Sequence, residues 1–381
     1  MIYLHIPFCK QACHYCDFHF STSMGFRSAV LEAMNREIEQ RKEEWNSGSM
    51  QTIYFGGGTP SLLSKEELTE LLQTIRTNFI IDKNAEITLE ANPDDITPEK
   101  LSEWKAFGIN RLSIGIQSFR DEDLKLLNRA HQAEEALQSI RNAQEAGITN
   151  ITIDLIYGIP GLEISDWIAN LDLAIETDVP HISAYCLTVE PGTALESMVK
   201  KGKISPMNED QGSEHFLILR DKLIAAGFEH YEISNFGKPG FHSRHNSAYW
   251  RGKPYIGIGP SAHSYSGNTR RWNVSNNKKY FDAINTGEPF WESEELSDAT
   301  RYNEYILTGL RTSYGVSEEE IATLFGEQFR KHFRDNLFLW DLPENIQEEN
   351  GRIVLTAEGR LVADRIISDL FWVDRWISNI S

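Results

Sequence analysis

The chain has 381 residues, enough for one large domain with an appendage or for two domains. Hydrophobic residues make up 40% and charged residues 24%, the composition of a folded globular protein and not of a disordered one. A net charge of −19 argues against a nucleic-acid partner, nothing reads as a signal peptide, and no apolar run is long enough to span a bilayer. These features predict a cytoplasmic protein, where clustered cysteines are more readily metal ligands than disulfide partners.

Along the first two-thirds of the chain one pattern recurs: a short apolar run, a polar or glycine-rich loop, then an amphipathic helical stretch. The runs Ile2–Ile6, Thr52–Phe55, Glu86–Glu90, Arg111–Gln117, Asn150–Tyr157 and His181–Leu187 predict strands. Between and after them, Phe26–Trp45, Lys65–Phe79, Pro98–Phe107, Ala133–Ala146, Ser165–Thr177 and Glu209–Ala226 predict helices. Ser64 with Glu67, and Thr97 before Pro98, are helix-start signals, while Gly108, Gly147 and Gly227 are stops. Six βα units in series predict an α/β fold with a parallel sheet, an incomplete (β/α)6 barrel where eight units would close one. In such barrels chemistry gathers where strands end. The predicted exits carry a cysteine loop, "GGGTPS", Glu90, Gln117, Asp154 and Thr188.

Residues 1–235 thus form the predicted barrel. Residues 236–297 are rich in His, Gly and aromatic residues and read as a connecting segment of loops around a short strand. Residues 298–381 read as a small α+β domain of winged-helix type, with helices, a short strand at "GRIVLT" and a last helix from Glu358.

Three of the four cysteines, Cys9, Cys13 and Cys16, fall in one polar loop with the spacing C-x3-C-x2-C. Zinc, with His14 or His19 as fourth ligand, is one reading, but structural zinc sites usually add a second cysteine pair further along. A 4Fe–4S cluster normally takes four thiolates, so three would leave one iron open. Cys186 lies alone in a predicted strand and reads as a small core residue. Gly56, Gly57 and Gly58 would let backbone approach a ligand or simply make a tight βα turn. Glu90 and Asp154 interrupt apolar strands, where a carboxylate needs a ligand or a partner such as Arg111 or Arg129.

The cysteine spacing after the first strand, with Tyr15 before the third cysteine, resembles the radical S-adenosylmethionine (SAM) superfamily. The segments "LEANP", "GIQSF", "LLNRAH" and "IDLIYGIP" are similar to the motifs of its porphyrin branch, nearly end to end. The resemblance implies a 4Fe–4S cluster on Cys9, Cys13 and Cys16, with SAM on the open iron. It also implies SAM contacts at Tyr3, Tyr15, Gly56, Gly57, Gly58, Thr59, Glu90, Gln117, Arg129 and Asp154, and further ones at Thr188 and His263.

Two functions occur in that branch, oxygen-independent coproporphyrinogen III oxidase and haem chaperone. The oxidases continue the motif with a further cysteine where this chain has Phe18, and carry an extension before a strand that here holds Tyr3. "HNSAYW", from His245 to Trp250, looks like the H-N-x-x-Y-W motif of the haem chaperones. The resemblance therefore implies a haem chaperone, with the oxidase as the alternative. Candidate haem contacts are His245, Tyr249, Trp250 and His242, with Arg244 or Arg251 for a propionate. Implied partners are an apo-haemoprotein acceptor, an electron donor for the cluster, and peripheral contact with a membrane acceptor.

Overall fold

The computed structural model describes residues 1–205, 208–340 and 343–373. The six predicted strands form as β1 (Ile2–Ile6), β2 (Met50–Gly57), β3 (Ile81–Ala91), β4 (Arg111–Gln117), β5 (Ile151–Tyr157) and β6 (His181–Cys186). They pair in parallel in chain order. The crossovers are helical: Ser64 and Glu67 complete a capping box on Lys65–Asn78, and Thr97 accepts from Lys100 N–H at the start of Pro98–Ala106. Gly108, Gly147 and Gly227 take φ of 92°, 77° and 85°, the left-handed stop that glycine permits.

Strand alternation divides the sheet chemically. Ile2, Leu4, Ile53, Phe55, Leu89, Leu112, Ile114, Ile151, Ile153 and Ile182 are buried in one apolar core with the crossover helices. The intervening residues face the other way and are polar: Tyr54, Thr88, Glu90, Arg111, Ser113, Thr152, Asp154, His181 and Ser183 line a common cavity. Register stacks them across the sheet, with Tyr54 beside Thr88, Glu90 beside Ser113, and Asp154 beside Ser183.

The sheet is wider than the six strands expected. β7 (Glu229–Glu232) and β8 (Asn235–Gly237) form a hairpin whose β8 pairs antiparallel with β6. β9 (Ile256–Ile258) pairs parallel with β1, giving nine strands in the order β7-β8-β6-β5-β4-β3-β2-β1-β9. The sheet stays open, since β7 and β9 are its two edges. β9 falls within the connecting segment where a short strand was expected, whereas β7 and β8, of four and three residues, are too short to show a period and escaped prediction.

The connecting segment departs further from expectation. "RHNSAYW" is a helix, Arg244–Trp250, and not a loop. Ser243 caps it by accepting from Asn246 N–H, while the Glu86 carboxylate accepts from the backbone N–H groups of Arg244 and His245 at 3.1 and 3.0 Å. A strand 158 residues upstream thus supplies part of the cap. The segment also holds a three-stranded antiparallel sheet, β10 (His263–Tyr265), β11 (Thr269–Asn273) and β12 (Trp291–Glu295), and a helix, Asn277–Thr286.

Glu37, fully buried on helix Arg27–Gln40, fastens this segment to the barrel. Its carboxylate accepts from Arg41 Nη1 (3.1 Å), Asn273 Nδ2 (2.8 Å), Gly259 N–H (2.8 Å) and Tyr280 Oη (2.6 Å).

A second apolar core gathers Tyr302, Ile306, Leu310, Phe329, Phe333, Ile366 and Leu370 beside the hairpin β13 (Ile346–Glu349) and β14 (Arg352–Leu355). β14 is the strand expected at "GRIVLT"; its partner "IQEE" is polar and gave no signal. The helix expected from Glu358 is two pieces, Ala357–Leu361 and Ala363–Leu370, and residues 374–381 lie outside the described residues. Backbone bonds tie this part to β7: Ile233 N–H donates to Arg311 O (3.0 Å) and Ser313 N–H to Tyr231 O (2.9 Å). Among the described residues no helix is long and apolar enough to cross a membrane.

Removing one member of a buried, hydrogen-bonded charge pair costs about 3–5 kcal/mol. Glu37→Ala should therefore lower the urea midpoint of barrel unfolding, followed by circular dichroism. A midpoint equal to that of the parent would show that the carboxylate does not hold the segment in place.

Candidate functional site

The cysteine loop leaves β1 and is held from four sides. His14 N–H donates to Leu127 O (3.1 Å) and its Nδ1 meets Leu126 O (2.7 Å), while Leu195 N–H donates to His14 O (2.8 Å). Asn128 donates to Ala12 O, Lys10 pairs with Asp94 and Asp95, and Cys9 N–H donates to Ser21 O. His14 is thus spent on backbone, and His19 Nε2 meets Asn277 Oδ1 at 2.8 Å. The three thiols are free cysteines. Thr59 Oγ1 donates to Cys9 Sγ and Arg129 Nη1 to Cys13 Sγ, each at 3.4 Å, so both sulfurs accept a hydrogen bond. Burial pushes the Cys16 thiol up to about 11 and raises that of Cys9, so those two would ionise on taking a metal. Three free thiols on one tethered loop suit an iron–sulfur cluster as a donor set. Among the described residues no three His, Cys, Asp or Glu side chains converge around a single ion.

Beside the loop, the end of β2 comes as close as backbone can. A Cβ on Gly58 would stand 2.8 Å from Ile6 O and Phe8 O, and one on Gly57 (φ 106°) would stand 2.7 Å from the His5 ring. A Cβ on Gly56 would meet Tyr54, Glu90 and Tyr3 within 3.0 Å. Gly58 N–H and Thr59 N–H bond Ile6 O and Phe8 O at 2.8 Å. The run therefore has a packing reason of its own as well as the ligand role expected of it.

Glu90 and Asp154 sit inside the sheet's polar face. Tyr54 Oη donates to Glu90 Oε1 (2.7 Å) and Gly57 N–H to Oε2 (3.2 Å). Burial still lifts Glu90 to about 6; burial, then the Glu90 charge, lifts Asp154 to about 7. Among the described residues neither has an ion-pair partner: Arg111 donates to Asn150 and Thr152 instead. Arg129 bonds Asn92 Oδ1 and Gly115 O, both at 2.8 Å, besides Cys13, and its buried Nε has no partner. Gln117, at φ 68°, closes β4 within reach of Gly115. Tyr15 packs against the core near Arg129 and Asp154. Thr188 is exposed, just beyond β6.

Above the polar face opens a cavity of about 1350 Å3, reaching from β1 to the second core. Tyr3, His5, Tyr54, Phe18, His19, His245, Tyr249, Trp250 and His263 are among its lining. His245 Nδ1 shares a 2.8 Å hydrogen bond with Thr52 Oγ1, and its ring lies 4.9 Å from that of Tyr54. Burial drops this imidazole to about 3, so it is neutral at ordinary pH, with a lone pair for a metal. His242 lies elsewhere, stacked at 4.0 Å on Tyr231 and 2.8 Å from Glu229, too poorly aligned there for a hydrogen bond. Arg244 turns outward to Asn84 O, and Arg251 stacks at 3.9 Å over Tyr314 in an adjoining cavity of about 740 Å3.

Several contributors were missed in the sequence. His5 bridges Tyr3 Oη (3.2 Å) and His19 O (2.8 Å). Gly115 makes room for Arg129, since a Cβ there would lie 3.2 Å from its Nη2. Their signal was a polar or small residue at an inward position of a strand, the one that exposed Glu90.

Residues 3–174 match the model of the radical SAM superfamily, and residues 296–362 that of the HemN C-terminal domain. The chain is 36% identical to the heme chaperone HemW of Bacillus subtilis, over 96% of this chain and 97% of that protein. It is 35% identical to the heme chaperone HemW of Mycobacterium tuberculosis, over 97% of this chain and 94% of that protein. Its fold matches that of coproporphyrinogen III oxidase (HemN) from Escherichia coli with a TM-score of 0.82, at 24% identity over 97% of this chain and 89% of that one. The chain belongs to the radical SAM superfamily, in the group of the HemW proteins.

Proposed function

We propose that this protein is a haem chaperone: it receives haem in the large cavity and passes it to an apo-haemoprotein. The observation that carries the reading is a neutral imidazole, His245, anchored by Thr52 in a cavity of about 1350 Å3 beside the flat side chains of Tyr249 and Trp250. An imidazole can take the iron while aromatic area covers the porphyrin face. Phe18, 67% exposed on the cavity rim, occupies the place of the oxidases' further cysteine, which favours carriage over decarboxylation.

The same reading gives Cys9, Cys13 and Cys16 a 4Fe–4S cluster, with Thr59 and Arg129 stabilising thiolate sulfur. It gives SAM to Tyr3, Tyr15, the Gly56–Thr59 segment, Glu90, Gln117, Arg129 and Asp154, with His263 on the cavity side and Thr188 at the margin. When bound, that pair supplies one-electron reduction of a sulfonium. Glu90 and Asp154, raised by burial, are placed to exchange protons for a cationic ligand. An electron donor, and peripheral contact where the acceptor is a membrane protein, complete the scheme.

Anaerobically reconstituted protein should show an iron–sulfide chromophore that responds to SAM, a Soret shift with haem, and loss of that haem to an apo-haemoprotein. Release of carbon dioxide from coproporphyrinogen, without haem transfer, would favour the oxidase instead. Thr52→Val should weaken haem binding about tenfold by freeing the His245 ring, and His245→Ala should weaken it at least as much with the cluster chromophore retained. Unchanged haem affinity in both variants would remove His245 from the site.

In the ligand-free protein Glu90 and Asp154 also set a pH dependence. Their folded pKa values lie above ordinary carboxylate values, so their contribution to stability is full below about pH 4 and is lost as pH rises through about 6 and 7. Asp154→Asn should therefore melt higher than the parent at pH 8, with the gap closing by pH 5. A gap independent of pH would show that Asp154 is not held protonated.

A further inference from the structure

We propose that Arg270 and Arg311 select the carboxylate edge of the haem, one gripping each propionate; the proposal rests on the chaperone reading above. Haem is an apolar disc with two carboxylates on one edge, and a site that recognises more than the disc must supply cations at that edge.

The charged residues of the large cavity are few: Asp17 on the cysteine loop, Glu232 on β7, Arg270 on β11 and Arg311 at the end of helix Asp298–Leu310. Among the described residues the arginines stand alone as fixed cations in that lining, in a chain of net charge −19. Burial favours the neutral form of Glu232, whose Oε1 accepts from Asn235 Nδ2 while Oε2 has no partner; Arg311 and Arg360 oppose that shift. Arg311 pairs through Nη2 with Asp364, which is 82% exposed, and leaves its buried Nε without a partner. Arg270 pairs with Glu304 and lies 3.6 Å from Glu294, itself about half exposed. The pair with well-solvated Asp364 is weak, so Arg311 can turn to a less hydrated carboxylate with little loss, whereas Arg270, whose partner Glu304 is 25% exposed, would share its remaining donors with the propionate.

Position adds to chemistry. Arg311 is part of the backbone seam to β7, through its own carbonyl and Ile233 N–H, and Arg270 is held in β11 between β10 and β12. Both therefore belong to the cavity wall and not to a loose surface. The arginines nearest the H-N-x-x-Y-W motif in sequence do not share the cavity: Arg244 bonds Asn84 O outside it, and Arg251 faces the adjoining one.

The test compares ferric haem with haem dimethyl ester, which keeps iron and ring but lacks both charges, by Soret titration of the full chain. The parent should bind haem about tenfold or more tighter than the ester, the scale of hydrogen bonds to a charged group. In Arg311→Gln and Arg270→Gln the ratio should fall toward one through loss of haem affinity, and Arg270→Lys should keep part of it. Arg244→Gln, outside the cavity, should keep the parent ratio. A parent ratio near one, or an undiminished ratio in the double Gln variant, overturns the proposal while leaving the chaperone reading intact. A parent that shifts the Soret band of neither compound overturns both. Folding of each variant is read independently from its melting curve.

Discussion

The site depends on one steric condition: β2 must end without side chains where it meets β1. Gly56, Gly57 and Gly58 lie so close to Tyr3, His5, Ile6 and Phe8 that any Cβ would collide with a ring or with backbone. That contact lets Gly58 and Thr59 bond the backbone of Ile6 and Phe8, which fixes the direction in which the cysteine loop departs. It also brings Gly57 N–H to Glu90 and Thr59 to the sulfur of Cys9. Thiols, carboxylate and backbone donors thus share one origin in the close packing of two strands.

A second principle is the unpaid polarity of the sheet's inner face. Parallel sheets are usually apolar on both faces. Here alternate positions of β2 to β6 present hydroxyls, carboxylates and an imidazole to a common interior. Thr88 Oγ1 and His181 Nδ1 are buried there without partners among the described residues, as is Arg129 Nε near the cysteine loop. Natural proteins rarely leave such groups unmatched unless water, an ion or a ligand completes them. The raised carboxyls of Glu90 and Asp154 express the same shortfall in protonation.

The order of the parallel strands, the helix caps and the cysteine loop were legible because each is written in local chemistry: a period, a capping residue, a spacing. Glu90 and Asp154 were legible as charges inside apolar runs. What escaped was made by distant contacts. The helix Arg244–Trp250 depends on Glu86 from β3, and neighbouring sequence shows nothing of it. The hairpin strands β7 and β8 exist by pairing with a sheet already formed. His245, which opens the H-N-x-x-Y-W motif, and its alternative His242, three positions before it, are separated by the turn of the chain, one into the cavity and one against Tyr231.

The stitching of Ile233 to Arg311 and Tyr231 to Ser313 bears on how the proposed haem guest would get in and out. A wall sewn to the sheet by main-chain bonds cannot swing aside without unravelling the end of β7. Phe18 and Tyr249, 67% and 49% exposed within the cavity lining, offer a cheaper doorway, since they need only change rotamer. Passage governed by two aromatic side chains would be quick, would leave the barrel undisturbed, and would let a recipient protein meet the guest at the rim before the pocket has let go.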